Sequence, residues 1–327
     1  MKKILVIQTA SIGDVILATA LVENLHRIFP QSSIDFLTKK GNESLFTGHP
    51  FLHHVIIWNK QSEKYKSLLR ILFQVRQTKY DLVINIQRFF LTGLFTIFSG
   101  ASETRGFSKN PLSFLYTKRM SHLIGNGIHE VTRNQELIRD FSTSHMINPR
   151  MYPSAADEAA VSQFSNGNYY TISPASLWFT KQYPVDKWIE LVSSLPREAP
   201  VYLLGAMGDQ QLCDKIIAAA DRQTLTSLAG KLTFLQSAAL MKKARMNFTN
   251  DSAPMHLASA VNAPVTAIYC STVPEFGFGP LSDFSHIVQT SEPLACRPCS
   301  LHGCRSCPEK HFRCATGIRI EQLMEQA

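Results

Sequence analysis

The stretch 248-FTNDSAPMHLASAVNAPVTAIYC-270 decides how the rest of the chain is read. An apolar run ends in Asn250-Asp251-Ser252, a helix starts at Pro254 with His256 one turn in, and Val265-Thr266-Ala267-Ile268-Tyr269 returns as a second apolar run. Short β-branched and aromatic runs on either side of a capped helix predict strand, helix, strand, the repeating unit of an α/β fold. Asp251 or Ser252 is placed to cap the helix, and Pro254 suits its first turn because the missing N–H has no partner to lose there. The N–H groups of Ser252, Ala253 and Met255 are then expected to be free and to form an anion site. His256 is either a satisfied core histidine or a second donor to the same anion.

The same alternation extends in both directions. Strands are expected at Lys3 to Thr9, Ile34 to Thr38, His54 to Trp58, Leu82 to Ile86 and near Thr104 to Phe107, with a helix over Val15 to Phe29 and another over Glu130 to Phe141. Asn148-Pro149-Arg150-Met151-Tyr152-Pro153 reads as a linker. A second series follows, with strands at Tyr169 to Ser173, Val201 to Leu204, Arg245 to Phe248 and Val265 to Tyr269, and helices near Val185 to Ser194, Asp209 to Ala220, Phe234 to Ala244 and Ser252 to Val261. Two Rossmann-like domains, 1–150 and 151–327, are therefore expected to face each other across a cleft. Ligands of such sheets gather at the carboxyl ends of the strands, so chemistry is sought in the loops after them.

The chain has 327 residues, 45% of them hydrophobic, which suits two soluble globular domains. Met1-Lys2-Lys3-Ile4-Leu5-Val6-Ile7 starts like a signal peptide, but Gln8, Thr9, Ser11 and Asp14 interrupt the apolar run, and it is read as a first strand. Phe89 to Phe98 is too short to span a bilayer and is read as a buried helix, with contact to a membrane surface as the alternative. The formal charge is +8, and residues 1–150 hold 19 Lys and Arg against 10 Asp and Glu, whereas the remainder holds 14 against 15. An anionic partner for the first half follows from that asymmetry, unless the excess serves only solubility.

Two further loops hold polar residues where a cleft would need them. Thr9-Ala10-Ser11-Ile12-Gly13-Asp14, after the first strand, is too poor in glycine for a dinucleotide or Walker loop. Gly13 permits close backbone approach, and Asp14 at a helix start either caps that helix or accepts a proton from a substrate hydroxyl. The loop Ser173-Pro174-Ala175-Ser176-Leu177-Trp178-Phe179-Thr180-Lys181-Gln182-Tyr183-Pro184 places Lys181 ahead of a helix start. It is either a solvated charge or a compact cation for phosphate oxygens.

Five of the seven cysteines crowd into 296–314, as Cys296-x2-Cys299-x4-Cys304-x2-Cys307-x6-Cys314, with His302 and His311 among them. Paired Cys-x-x-Cys units point to a closed structural zinc site on Cys296, Cys299, Cys307 and Cys314; unliganded thiols are the competing reading, and disulfides are disfavoured in a reducing compartment.

Taken together, SIGD at 11–14, TKQYP at 180–184 and NDSAPMHLASA at 250–260 resemble the ADP-heptose:lipopolysaccharide heptosyltransferases, glycosyltransferase family 9. His129-Glu130-Val131-Thr132-Arg133-Asn134 and Leu228-Ala229-Gly230-Lys231 add to the likeness, which covers nearly the whole chain in order. The resemblance implies a GT-B fold, with a nucleotide-sugar donor such as ADP-heptose on the C-terminal domain and an anionic lipopolysaccharide-core acceptor on the N-terminal one. It implies inverting transfer that needs no cofactor or catalytic metal, in the cytoplasm or peripherally on the cytoplasmic face of the inner membrane. On that template Asp14 is the general base and Lys181 stabilises the departing diphosphate. Gly13, Ser176, Asp209, Asp251, Ser252, Ala253, Pro254, Met255 and His256 are expected around the donor. Arg88, Arg105, Lys109 and Arg133, in post-strand loops or near the domain junction, are expected to meet the acceptor's carboxylates and phosphates. Many relatives have glycine where this chain has Ala253, and some carry an acidic residue where it has Met207.

Two other functions compete. A nucleotide-sugar epimerase of the same fold would turn over donor without acceptor. A zinc-bearing nucleic-acid-binding protein would explain the basic charge and the cysteines, but the charge lies in the half without the cysteine cluster and no nucleic-acid module is present, so no nucleic-acid partner is expected.

Overall fold

The structure, a computed structural model, describes residues 2–141 and 147–325. The chain divides into two compact units, Met1–Tyr152 and Pro153–Ala327, within the segment read as a linker.

In the first unit the strands are β1 (Lys3–Ile7), β2 (Ser33–Lys39), β3 (Leu52–Trp58), β4 (Leu82–Asn85), β5 (Glu103–Phe107) and β6 (Lys118–Met120), with helices α1 (Ile12–Ile28), α2 (Lys64–Thr78), α3 (Phe90–Ile97) and α4 (Glu130–Glu136). The sheet order is β3-β2-β1-β4-β5-β6 and every pairing is parallel. Helices cover both faces of a parallel sheet, so its central strands read as continuous apolar runs, as Ile4 to Ile7 and Leu82 to Ile84 do. Leu5, Ile7, Val83 and Phe95 share one cluster with Leu68, Ile71 and Val75 of α2, which seats α2 and α3 on the same face of this sheet.

The second unit repeats the plan with β7 (Tyr170–Ser173), β8 (Val201–Leu203), β9 (Leu225–Ser227), β10 (Met246–Asn250), β11 (Val265–Tyr269) and β12 (Ser285–Gln289). Its helices are α5 (Ala155–Ala160), α6 (Val185–Ser194), α7 (Gln210–Ala219), α8 (Phe234–Lys243), α9 (Ala253–Ala260), α10 (Arg313–Thr316) and α11 (Ile320–Met324). The order β9-β8-β7-β10-β11-β12 is again all parallel. In each unit the chain builds outward from its first strand, then returns to the other side of that strand for its fourth. A crevice therefore opens beyond the carboxyl ends of β1 and β4 in one unit and of β7 and β10 in the other.

Several expectations are corrected here. The helix predicted over Glu130 to Phe141 ends at Glu136 and resumes as a single 3₁₀ turn at Arg139–Phe141. β6, β9 and β12 were not foreseen; β6 and β9 have three residues each, too short for a period-two pattern to register. The Phe89-to-Phe98 helix is not buried throughout: Phe95 is core, while Phe89, Phe90 and Phe98 face solvent. α9 begins at Ala253, so Pro254 is its second residue.

Candidate functional site

At the crevice of the second unit, the loop after β7 and the start of α9 are joined through three consecutive residues. Asn250, fully buried, donates from Nδ2 to the Pro174 carbonyl (2.8 Å) and accepts at Oδ1 from the Tyr183 backbone N–H (2.9 Å). One amide thus pins both ends of the loop that carries Lys181. Asp251 then receives the lysine: Lys181 Nζ lies 2.7 Å from Asp251 Oδ2, which also accepts from the Thr272 hydroxyl at 2.6 Å. Ser252 occupies the N-cap position in extended backbone, with its hydroxyl turned back to the Asn250 carbonyl (3.3 Å) instead of onto the helix amides.

Among the described residues no backbone acceptor is found for the N–H groups of Ser252 and Ala253. Met255 is different: its N–H bonds to the Ser252 carbonyl (3.1 Å) and its side chain is buried against Tyr269, so it is withdrawn from the donor set expected of it. Pro254 has no N–H to give. Ala253 is not among the residues with positive φ, so its methyl group brings no backbone strain. The pair of amides, the positive end of an eight-residue helix and an ammonium group held nearby together suit a doubly charged anion such as a diphosphate.

His256 is buried in the first turn of α9. Ser176 is half-buried, and its carbonyl accepts from Gln182 Nε2 (2.7 Å). Asp209 closes back on its own turn, accepting from the Ala206 N–H at 2.8 Å, so the structure gives it a capping duty.

The cysteine-rich tail belongs to this site in a way the sequence did not suggest. The Thr180 N–H donates to the Cys304 carbonyl (3.1 Å) and the Cys304 N–H donates to the Thr180 hydroxyl (2.7 Å). Gly303 sits in left-handed backbone (φ +83°), and a β-carbon there would come within 2.9 Å of Lys181 Cγ. Arg297 ties the tail to the end of β11, donating to the carbonyls of Cys270 and Thr272 (2.7 Å each). The tail is thus a buttress of the lysine loop. None of the seven cysteines forms a disulfide. The sulfurs of Cys296, Cys299, Cys307 and Cys314 do not all lie within 4.8 Å of one another, yet they stand close enough to interact: burial, then the neighbouring Cys299 and Cys307, pushes the Cys314 thiol up to about 11, and Cys296 Sγ lies 3.8 Å from His311 Nε2. The one group of three ligand atoms within 4.8 Å of one another among the described residues is Asp35, His53 and His54.

The crevice of the first unit is built from amides and a carboxylate. Gln87 Nε2 donates to Gln8 Oε1, which also accepts from the Ala10 N–H (3.1 Å), joining the ends of β1 and β4. Asn42 Nδ2 donates to the Ala10 carbonyl (3.2 Å), and Lys60 Nζ to the Thr9 carbonyl (2.8 Å) and hydroxyl (3.0 Å). Burial, followed by repulsion from Lys39 and Lys64, pushes the Lys60 ammonium down to about 8. Within this frame Asp14 is the third residue of α1 and accepts from both the N–H (3.2 Å) and the hydroxyl of Ser11. The capping reading of Asp14 is therefore realised, and Gly13 lies in the same helical turn, buried.

Two of the four cations expected to meet an acceptor are used internally. Arg105, 2% exposed, pairs with Glu103 and Asp140 and donates to the Leu137 carbonyl (2.8 Å). Arg133 pairs with Glu130 (2.7 Å) and donates to the Leu123 and Ile128 carbonyls. Burial works against the Glu130 carboxylate, yet hydrogen bonds from His122 and Arg133 more than offset it and hold it below the usual range. Both arginines are fold elements, which corrects the sequence expectation; a guanidinium matched to carboxylates in one's own chain has no fork left for a ligand. Arg88 and Lys109 are exposed, just beyond the carboxyl ends of β4 and β5.

Residues 68–308 match the profile of glycosyltransferase family 9 (heptosyltransferase). Lipopolysaccharide heptosyltransferase 3 of Escherichia coli is 25% identical over 279 residues, covering 80% of this chain and 81% of the relative. The structure of E. coli ADP-heptose lipopolysaccharide heptosyltransferase II superposes with a TM-score of 0.82 at 21% identity, over 100% of this chain and 97% of that one. E. coli heptosyltransferase WaaC with ADP-2-deoxy-2-fluoro heptose superposes with a TM-score of 0.73 at 18% identity, over 99% of each chain. At these identities the structural likeness speaks for a shared GT-B fold.

Proposed function

The chain belongs to glycosyltransferase family 9, the heptosyltransferases, and is a glycosyltransferase; from this premise we propose that it moves a heptose from ADP-heptose to an anionic lipopolysaccharide-core acceptor, with inversion at the anomeric carbon and without a catalytic metal. The observation that carries the proposal is the Lys181–Asp251 pair at 2.7 Å beside the Ser252 and Ala253 N–H groups, for which no backbone acceptor is found among the described residues. The names of the relatives, which couple ADP-heptose with lipopolysaccharide, support the choice of donor and acceptor.

In the proposed reaction the second unit holds the donor. The ADP diphosphate sits against the Ser252 and Ala253 N–H groups, with His256 behind them in the first turn. As the sugar–oxygen bond breaks, charge grows on the leaving phosphate, and Lys181 takes it up; Asp251 keeps the ammonium aimed there. Fixed donors that meet charge only as it develops lower the barrier without tightening ground-state binding equally. The first unit holds the acceptor, with Arg88 and Lys109 toward its carboxylates and phosphates. Asp14 exchanges its Ser11 hydrogen bond for the acceptor hydroxyl and removes that proton as the oxygen attacks the anomeric carbon from the face opposite ADP.

Incubating the full chain with ADP-heptose and an anionic lipopolysaccharide-core acceptor tests the proposal. Acceptor-dependent release of ADP from ADP-heptose is expected, with no acceptor-dependent release of GDP or UDP from the corresponding sugars. Donor turnover that does not need the acceptor would point to epimerase chemistry instead.

A further inference from the structure

The exposed side of α2 carries three large apolar residues among its cations and amides. Its buried side is Leu68, Ile71 and Val75, in contact with the sheet. At 100° per residue, Tyr65, Leu69 and Phe73 form one i, i+4, i+8 stripe turned about 130° from the buried side, and they are 68, 66 and 66% exposed. α3, seated beside α2 on the same sheet face, adds exposed Phe90 and Phe98, with half-exposed Leu94 between them. Single exposed apolar residues are ordinary, but two helices packed on one sheet face that each expose a row of large apolar side chains are a mark of an interaction surface.

Charge identifies the partner. The fifteen residues of α2 include Lys64, Lys66, Arg70 and Arg76 and no Asp or Glu. Lys66 and Arg70 each follow a stripe residue by one position, which lays them in the adjacent row along its flank. A second copy docking through this face would bring the same cations to the seam with no Asp or Glu of α2 to pair them, and an acidic protein would need an apolar surface of its own to cover the aromatic rows. A bilayer with anionic headgroups meets both needs, because the stripe enters the headgroup–acyl boundary while the flanking cations stay among the phosphates. Tyr65, amphipathic and at the helix start, suits the interface level.

We propose that α2 and α3 dock this unit on an anionic lipid surface, with α2 lying in the plane of the interface. This deepens the proposed function by supplying the membrane that presents the acceptor, and it is tested so that either can fail alone.

Full-length protein is floated with phosphatidylcholine vesicles with and without phosphatidylglycerol, in comparison with Leu69→Ser/Phe73→Ser and Lys66→Glu/Arg70→Glu variants of unchanged melting temperature. The expected result is flotation with the anionic vesicles and roughly a tenfold or greater loss of partitioning in each double variant. Transfer to a soluble, delipidated acceptor should be unaffected by either variant. Flotation of Leu69→Ser/Phe73→Ser like the parent, or equal parental binding to neutral vesicles, would overturn the docking. So would a parent that ignores vesicles and instead forms a dimer that the first variant abolishes. Failure of transfer with flotation intact would count against the enzyme assignment alone.

Discussion

Both units wind their six strands in the same order around the same kind of crevice, yet they furnish it with opposite chemistry. At the ends of β7 and β10 stand an ammonium group, its carboxylate partner and the amides of a helix start. At the ends of β1 and β4 stand two side-chain amides joined to each other, a half-buried lysine turned onto a carbonyl, and a carboxylate that caps its own helix. The topology dictates where a ligand can lie in each unit, and the side chains dictate what it can be. On the proposed reading, one crevice neutralises an anion and the other accepts a proton.

That division can be broken by substitution. Asp14→Asn should have the largest effect, lowering kcat by about 10²- to 10⁴-fold with ADP affinity unchanged, because the general base is removed while the Asn side-chain oxygen can still accept from Ser11; a variant transferring at the parental rate would remove Asp14 from the chemistry. Lys181→Ala comes next, lowering kcat/KM by about 10²- to 10³-fold and weakening ADP binding as well. Asp251→Asn sharpens the contrast. It should cost roughly tenfold in kcat through a misdirected lysine, while ADP binds no more weakly because a carboxylate near the diphosphate has been neutralised.

The smallest effect expected lies in the first unit and concerns stability. His49 is buried, and burial followed by repulsion from His26 lowers its pKa to about 4. Between about 4 and the ordinary value near 6.5 the unfolded chain therefore binds more protons than the folded one. The His49 contribution to stability should fall as pH drops through that window, by about 3 kcal/mol at most, while Glu23, 3.9 Å away and pushed up by burial, works in the opposite sense. Denaturant unfolding at pH 7 and pH 5 reads this, and His49→Phe, which cannot titrate, should flatten the difference.

Much of this was legible before any coordinates. The strands that face helices on both sides are unbroken apolar runs, so β1, β4, β7, β10 and β11 announce themselves. Lys181 and the NDS joint were located by their place after such strands. Three things were hidden for physical reasons. β6 and β9 are edge-side strands of three residues, below the length at which periodicity speaks. Arg105 and Arg133 share the composition signal of ligand-binding arginines, and only the folded chain reveals that Glu103, Asp140 and Glu130 already hold them. The tail's hold on the lysine loop runs through backbone groups of Cys304 and the bare α-carbon of Gly303, about which side-chain identity says little. Asn250, by contrast, had a signal that went unused: an amide at the end of an apolar strand must spend its donor and acceptor on buried backbone.

Calorimetric titration of ADP into the parent chain, Asp14→Asn and Lys181→Ala tests the central claim most directly. Parent and Asp14→Asn should bind with the same affinity, and Lys181→Ala roughly tenfold or more weaker, as expected for loss of a charge-assisted contact. Equal binding by all three, or weakened binding confined to Asp14→Asn, would contradict the assignment of the nucleotide to the second unit.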